Sequence, residues 1–326
     1  MVSALMRHCS SDSSVERTMS QLLNARQRAK AMLQQVKGSA PVTAIKRAPQ
    51  YCAWKLAPLQ AGDSFTVDLS LRVGMGALMA YALRVAHWAA ENRMALKVRA
   101  SSPLYGERQD IFPLYFLSRF ESDGRAIGTQ RREWLLTREI ASHIPHEAAK
   151  DLFATHFTPN QRLAAEIDAA SGGRDFDLSI HFRGTDKFME TGLTDAQLML
   201  TALKPHMPSA RNVFLATDDA NFSVLVRQAW PEVTFTSYDR GVVMPGKARH
   251  FSAMSPEDKA LEALVNMYAL ARAPHCVRTM SYMSSFVGLI RPSVGTTTIN
   301  GKIDENTPFP ERDLLLRERA AGGEGG

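Results

Sequence analysis

The sequence predicts an α/β protein with two domains, each built on a parallel β-sheet, and three observations support this prediction. The chain has 326 residues, of which 45% are hydrophobic, enough for two cores of ordinary size. A strand–turn–helix–strand pattern covers residues 65–100. Strands and helices then alternate over the second half, which is typical of a parallel sheet with crossover helices. We therefore expect two Rossmann-like domains that face a cleft.

The first pattern consists of a strand over 65–71, a turn at Gly74-Met-Gly76, a helix over 77–92 and a strand over 95–100. The turn lacks the features of a nicotinamide-binding fingerprint. Met79 stands at the third glycine position, and no acid ends the second strand. A tight connection between strand and helix is the better interpretation. Further helices are predicted over 14–36, 131–142 and 146–156.

The second half shows a regular alternation of elements. Strands are predicted near 177–183, 212–217, 233–237 and 275–280, and helices near 194–206, 220–229, 256–272 and 284–290. The helix from 256 has a clear start, because Ser255 can cap it, Pro256 suits its first position and Asp258 suits its first turn. The predicted divisions are an N-terminal domain (1–165, with 1–60 poorly defined), a second domain (166–300), and a C-terminal helix with a flexible tail (301–326).

Composition argues against several classes of protein. The net charge of +6 is spread along the chain, which suits a small anionic ligand better than a nucleic acid. The cysteines are odd in number and have no metal-ligand spacing: Cys9, Cys52 and Cys276. A reducing compartment without zinc is expected. Neither a signal peptide nor an apolar run of membrane-spanning length is present in the sequence, so we expect a cytoplasmic protein.

The strongest local signal is the strand end that runs from Asp177 to Lys187 and reads DLSIHFRGTDK. Because side chains alternate along a strand, Leu178, Ile180 and Phe182 share one face, and Ser179, His181 and Arg183 share the other. His181 and Arg183 then lie at the carboxyl end, where open α/β sheets bind ligands. The Arg183 guanidinium offers a planar set of donors that suits a phosphate. Asp186, Lys187 and Glu190 follow on the next loop. The alternative is a strand end with solvated charges.

Three weaker signals accompany this strand. Asp218 and Asp219 emerge after the apolar strand over 212–217, and Asp219 could equally be a helix cap. A basic loop, GKARH, ends at His250 and could close over a diphosphate or be solvated. Ser284 and Ser285 stand in the segment SYMSSF, where a helix begins, which fits either an anion site or a cap.

Together these segments resemble the alpha-1,6-fucosyltransferase family, which includes eukaryotic enzymes and bacterial nodulation fucosyltransferases. HFRGTDK at 181–187 is similar to the eukaryotic motif HVRRTDK, and residues 215–219 resemble the eukaryotic motif LATDD, with the same five letters. LVNMYALARA at 264–273 resembles the nodulation enzymes' LIEMYLLARC, and SSF at 284–286 resembles the element that follows it. The order and spacing of these motifs agree with the family over residues 177 to about 290, and the turn at Gly74-Met-Gly76 matches the family's N-terminal glycine turn more weakly.

The resemblance implies a GT-B-type fold, with the donor on the C-terminal domain and neither metal nor cofactor. It assigns Arg183 to the donor β-phosphate, His181 to the guanosine and Ser284 to the diphosphate. Glu190 is the nearest match to the family's catalytic base, although the segment from Asp186 to Glu190 is one residue shorter than the family motif. Asp186 is the alternative candidate for the base. Gly184 replaces the family's second arginine. The full predicted set for the donor is His181, Arg183, Lys187, Asp218, Asp219, His250, Asn266, Ser284 and Ser285.

Asn266 stands where the family has an acid that pairs with guanine. It lies about 150° from the centre of its helix's apolar stripe, at roughly 100° per residue, so we expect it to face the cleft or solvent. If it reads the base, Asn266→Asp would be expected to bind GDP more tightly.

The predicted activity is inverting transfer of fucose from GDP-fucose to a hydroxyl of a glycan-type acceptor, which would lie near Tyr105–Phe120. Two alternatives stay open: a transferase of the same fold with another nucleotide sugar, and a non-catalytic nucleotide-sugar or glycan-binding protein.

Overall fold

The structure, a computed structural model, describes residues 63–106, 110–117, 120, 125–130, 144–184, 195–241, 254–300 and 308–309, with only the backbone for 63–65 and 125–130. The chain divides into two compact units, Met1–Gln60 and Ala61–Gly326. The first unit, which contains the predicted helix over 14–36, lies outside the described residues. So does the predicted helix over 131–142. Everything below concerns the second unit.

A three-stranded parallel sheet is the first described element of this unit. It contains β1 (Asp63–Ser70), β2 (Ala95–Ser101) and β3 (Arg125–Gln130), in the order β2-β1-β3. Helix α1 (Met75–Glu91) connects β1 to β2, as the glycine turn predicted, and it is buried along much of its length. Two helices follow the sheet, α2 (His146–His156) and α3 (Gln161–Ser171).

A five-stranded sheet, also parallel throughout, forms the larger part. Its strands are β4 (Leu178–Phe182), β5 (Asn212–Thr217), β6 (Thr234–Thr236), β7 (His275–Arg278) and β8 (Gly295–Thr298), in the order β6-β5-β4-β7-β8. The helices are α4 (Ala196–Leu203), α5 (Ala220–Ala229), α6 (Pro256–Leu270), α7 (Tyr282–Ser285) and α8 (Val287–Ile290). The α/β class with two parallel sheets is confirmed.

Both faces of the central strand are buried, as the apolar runs require in a parallel sheet. One face carries Leu178, Ile180 and Phe182, which pack with side chains of α4 and α5. The opposite face lies under α6, where the Ser179 hydroxyl donates to the Leu270 carbonyl at 2.7 Å. The alternation predicted for this strand is confirmed, and both of its faces contribute to the core.

Several elements differ from the predictions. The single helix expected near 284–290 is two short helices, because Phe286 ends one and caps the other. Helix α3 was not predicted, and the predicted domain boundary at 165/166 falls inside it. The two-domain division itself stays a prediction.

The aromatic residues of 112–120 were expected near an acceptor. They are instead core residues: Phe112, Phe116 and Phe120 are buried and pack around Phe157, with ring centroids 5.0–5.7 Å from its own. These three rings are therefore not a surface for a ligand.

Candidate functional site

The polar residues of the second half converge at the carboxyl ends of three adjacent strands. The order β5-β4-β7 puts β4 in the middle. Parallel strands end at the same edge, so Arg183 after β4, Asp218 after β5 and Thr279 after β7 are neighbours. We call the segments 183–184, 217–219 and 279–281 the carboxyl edge.

Arg183 is fixed through its backbone and oriented through its side chain. Its backbone N–H donates to the Thr279 hydroxyl at 2.9 Å, and its Nε lies 3.8 Å from the Asp218 carboxylate. Asp218 also accepts the Gly184 N–H at 3.0 Å. The Arg183 side chain is 26% exposed, so a ligand at this edge can reach the guanidinium while its position is already set.

Gly184 occupies a position without space for a side chain. A β-carbon there would lie 2.8 Å from the Phe182 ring and 3.0 Å from the Asp219 carboxylate. Asp219 caps α5, where its Oδ1 accepts the N–H groups of Asn221 and Phe222 at 2.8 and 3.2 Å. This confirms the capping interpretation of Asp219, and a further contact of Asp219 with a donor stays a prediction.

The corner between β7 and α7 contains a buried arginine that the sequence analysis did not select. Arg278 ends β7, is 3% exposed, and donates from Nη1 to the hydroxyls of Ser285 at 3.1 Å and Ser284 at 3.4 Å. The protons of both hydroxyls go to backbone carbonyls, those of Thr279 and Ser281. In this arrangement the two serines orient Arg278 and have no proton left for a phosphate. Their predicted contact with the diphosphate stays untested.

His181 and Asn266 are both buried. His181 is the last but one residue of β4, and its carbonyl accepts the Thr279 N–H at 2.8 Å. Asn266 is 7% exposed, so the solvent alternative for it is wrong: tertiary packing covers α6 on nearly every side. The Asn266 Nδ2 donates to the carbonyls of Tyr238 at 3.1 Å and Glu262 at 2.9 Å. Its Oδ1 is enclosed and has no hydrogen-bond partner within the described ranges.

A polar cluster connects the end of β6 to α6 and α3. Arg240 donates from its backbone to Glu262 at 2.7 Å, from Nε to Asp258 at 2.6 Å and from Nη1 to the Tyr238 hydroxyl at 2.7 Å. The Tyr238 hydroxyl donates to Glu166 at 2.6 Å. Burial, followed by the Glu166 hydrogen bond, raises the pKa of Tyr238 to about 12. These contacts hold the segment whose carbonyl fixes Asn266.

The first sheet contributes its own carboxyl end to the same region. Gly76, at the start of α1, lies so close to the start of α7 that a β-carbon on it would be 2.9 Å from the Tyr282 carbonyl carbon. Tyr105, which follows β2, accepts the Met75 N–H at 3.0 Å. Burial raises the pKa of Tyr105 to about 12, while the positive charge of Arg183 lowers it, so Arg183 lies within electrostatic reach. The carboxyl ends of both sheets therefore meet around Tyr105 and Arg183.

Four predicted residues lie outside the described ranges: Asp186, Lys187, Glu190 and His250. Sequence reasoning did not select Arg278 or Glu262, and it named Tyr105 only as one end of the region expected for the acceptor. Arg278 gave a signal that could have found it, because it ends a predicted strand next to the serine segment. Tyr105 gave none.

Within the described part of the chain, neither a metal-binding cluster nor a membrane-spanning helix is found. No group of three or more His, Cys, Asp or Glu side chains there is arranged to hold a metal ion. None of the helices in the same ranges has the length and apolar character needed to cross a membrane.

Comparisons with known proteins give matches among solved structures only. No protein-family model matches the chain, and no curated protein matches it in sequence. The fucosyltransferase NodZ from Bradyrhizobium is similar at 17% identity, over 70% of this chain and 93% of that one, with a TM-score of 0.46. POFUT1 is similar at 9% identity, over 75% and 100%, with a TM-score of 0.48. Arabidopsis thaliana FUT1 is similar at 11% identity, over 84% and 77%, with a TM-score of 0.44. Of the three, NodZ is a fucosyltransferase.

Proposed function

We propose that this chain is an inverting glycosyltransferase that moves fucose from GDP-fucose to a hydroxyl of a glycan or glycoconjugate. The observation that carries the proposal is the position of Arg183. It is held by Thr279 and Asp218 at the carboxyl edge and remains partly exposed there. The motifs around it, HFRGTDK and LATDD, are those that resemble the fucosyltransferase family.

In the proposed reaction the acceptor oxygen attacks the anomeric carbon of the sugar, and the bond from that carbon to the β-phosphate oxygen breaks. The acceptor proton passes to a carboxylate, and the electron pair leaves with GDP. Negative charge grows on the diphosphate in the transition state. A guanidinium oriented beforehand lowers the barrier, because it needs no reorganisation as the charge develops.

The proposed base is Glu190, with Asp186 as its rival. A positioned base contributes about 10²–10⁴ in rate. Glu190→Gln is expected to keep donor binding and lose transfer, measured by calorimetry with GDP and by single-turnover transfer. Normal transfer in Glu190→Gln together with loss in Asp186→Asn would exchange the two roles.

Asn266 is the proposed contact of the guanine base. Because Tyr238 and Glu262 hold its Nδ2, its Oδ1 is the atom left to accept a hydrogen bond from the Watson–Crick edge of guanine. An enclosed acceptor without a partner costs about 1–3 kcal/mol, and a donor on a bound base would recover that cost.

The proposal includes metal independence. Arg183 and the N-terminus of α1 supply positive charge at the site without a metal. Transfer is expected to persist in excess EDTA. An absolute requirement for Mg²⁺ or Mn²⁺ would contradict this part of the proposal.

The decisive experiment is a thermal-shift comparison of GDP, UDP, ADP and CMP, followed by a donor-hydrolysis assay with GDP-fucose. A shift with GDP alone supports the donor assignment, and a shift with another nucleotide replaces it. Gly184, in place of a second cation, is the feature that favours a non-catalytic binding protein. Binding of GDP-fucose without hydrolysis or transfer would establish that alternative.

A further inference from the structure

Tyr105 follows the carboxyl end of β2, in a turn closed by its own backbone N–H, which donates to the Ser102 carbonyl at 3.0 Å. The side chain is 4% exposed, and its hydroxyl oxygen accepts the Met75 N–H at 3.0 Å. The hydroxyl is thus fixed against the glycine turn, where a β-carbon on Gly74 would be 4.0 Å from it. This contact determines the position of one hydroxyl at the start of α1.

The Tyr105 hydroxyl can also donate a hydrogen bond, and no described residue accepts it. A tyrosine hydroxyl can accept and donate, and Met75 occupies only the accepting side. The proton of Tyr105 has no acceptor among the residues for which side chains are described. Burial raises the pKa of Tyr105 to about 12, so the proton is present at physiological pH. Among the described residues, the hydroxyl is therefore a hydrogen-bond donor without a partner.

The charges around this hydroxyl favour an anion. Met75 begins α1, which has 17 residues, and the N-terminus of such a helix carries partial positive charge. Arg183 lies within electrostatic reach from the second sheet. Glu262 is the opposing charge, and one of its carboxylate oxygens already accepts the Arg240 N–H. A fixed donor between a helix N-terminus and a guanidinium suits a phosphate oxygen.

We propose that the Tyr105 hydroxyl donates a hydrogen bond to the terminal phosphate of the bound nucleoside diphosphate, the β-phosphate of GDP. The inference rests on the proposed function, since it takes a nucleotide sugar as the ligand. It adds a donor-binding residue from the first sheet, so that one phosphate is held from both sheets at once. The leaving diphosphate then has a neutral donor on one side and Arg183 on the other.

The test compares GDP with GMP, which lacks the β-phosphate. Tyr105→Phe is expected to weaken GDP about tenfold and to leave GMP unchanged, by titration calorimetry. Tyr268→Phe is the matched control. Its hydroxyl is also buried and bonded to the backbone, but it donates to the Phe157 carbonyl and makes no bond to the glycine turn in the described residues. This control is expected to lower the melting temperature without changing either affinity.

Two results would overturn the inference. Equal losses for GDP and GMP in Tyr105→Phe would mean that the hydroxyl only supports the turn. Unchanged affinity for both would mean that it contacts no phosphate. If the wild type prefers UDP or ADP, the guanine part of the proposed function fails. The same comparison of diphosphate with monophosphate on that nucleotide then still decides the role of Tyr105.

Discussion

The two ends of the five-stranded sheet carry similar polar residues, but they differ in whether those residues find hydrogen-bond partners within the protein. At the amino end, Asp177 accepts the N–H groups of Arg211 at 2.7 Å and Asn212 at 2.8 Å. His275 bonds the Thr297 hydroxyl at 2.9 Å and stacks on His206, with centroids 4.4 Å apart. Each of these polar groups has its partner within the protein.

The carboxyl side presents polar groups beyond what the fold uses. Asp218 pairs with Arg183 at 3.8 Å, yet the Arg183 side chain stays 26% exposed. In the described part of the chain, the Asn266 Oδ1 has no hydrogen-bond donor, and the Tyr105 proton has no acceptor. Natural proteins satisfy nearly all buried polar groups, and a bound donor would supply partners for these two. The amino end is satisfied within the sheet, whereas the carboxyl side keeps the groups that the proposed donor site would use.

The largest effect is expected from substitution of Arg183 at the carboxyl edge. Arg183→Ala should abolish transfer, with a loss of about 1.5–3 kcal/mol in donor binding from the missing charge-assisted contact. Arg183→Lys should restore little, because a point charge cannot reproduce the planar fork. Arg211→Ala at the amino end is the control and should transfer normally. Transfer within threefold of wild type in Arg183→Ala would remove Arg183 from the site.

The next effect concerns Asn266. Asn266→Leu should weaken GDP and GMP equally, by about 1–2 kcal/mol, and leave UDP unchanged, because the base contact is the one contact with the nucleotide that it removes. The variant also loses the hydrogen bonds to Tyr238 and Glu262, so its stability should fall as well. Tyr105→Phe should weaken the binding of GDP but not of GMP, so the affinities for these two nucleotides distinguish the two variants. The structure also reverses the expectation for Asn266→Asp. A carboxylate there would face the carbonyls of Tyr238 and Glu262, so we now expect lower stability and no gain in GDP affinity. Calorimetry with the three nucleotides measures both variants.

The contact between the two sheets is tested at Gly76. Gly76→Ala forces a β-carbon against the backbone of Tyr282 and should cost about 1–3 kcal/mol of unfolding free energy. Gly288→Ala is the matched control, since its β-carbon would lie 3.8 Å from the nearest atom, in His146. That variant should stay within about 1 kcal/mol of wild type in urea denaturation. Equal stability of the two variants would show that the α1–α7 approach is looser than described.

The smallest effect concerns pH at the amino end. Burial, and then His206, lowers the pKa of His275 below its ordinary value of 6.5. Because its pKa is lowered on folding, this histidine binds a proton less readily in the folded protein than in the unfolded chain. Stability should therefore fall as pH drops below about 6.5. His275→Phe should flatten that dependence by a few degrees of melting temperature or less, without changing GDP affinity. An unchanged slope would assign the pH dependence to other groups.

Much of the second sheet could be predicted from sequence because local signals specify it. The strand over 212–217 and the helix over 220–229 agree with the structure at both ends, since a continuous apolar run stops at Thr217 and Asp219 caps the helix that follows. Helix α3 was missed because its stripe is short: only Leu163, Ile167 and Ser171 are buried. A pattern with so few apolar positions does not stand out from a polar loop.

The sequence by itself determined the parallel α/β class and the position of Arg183 at a strand end, because strand alternation and the parallel order of strands are local properties that propagate to one edge. Only the tertiary structure decided the state of Asn266, since a helical wheel gives an angle but not what covers it. It likewise brought Tyr105, which is 78 residues before Arg183 in the chain, to the same region. A contact between two sheets depends on the packing of residues that are far apart in the chain, and local sequence patterns do not predict such packing.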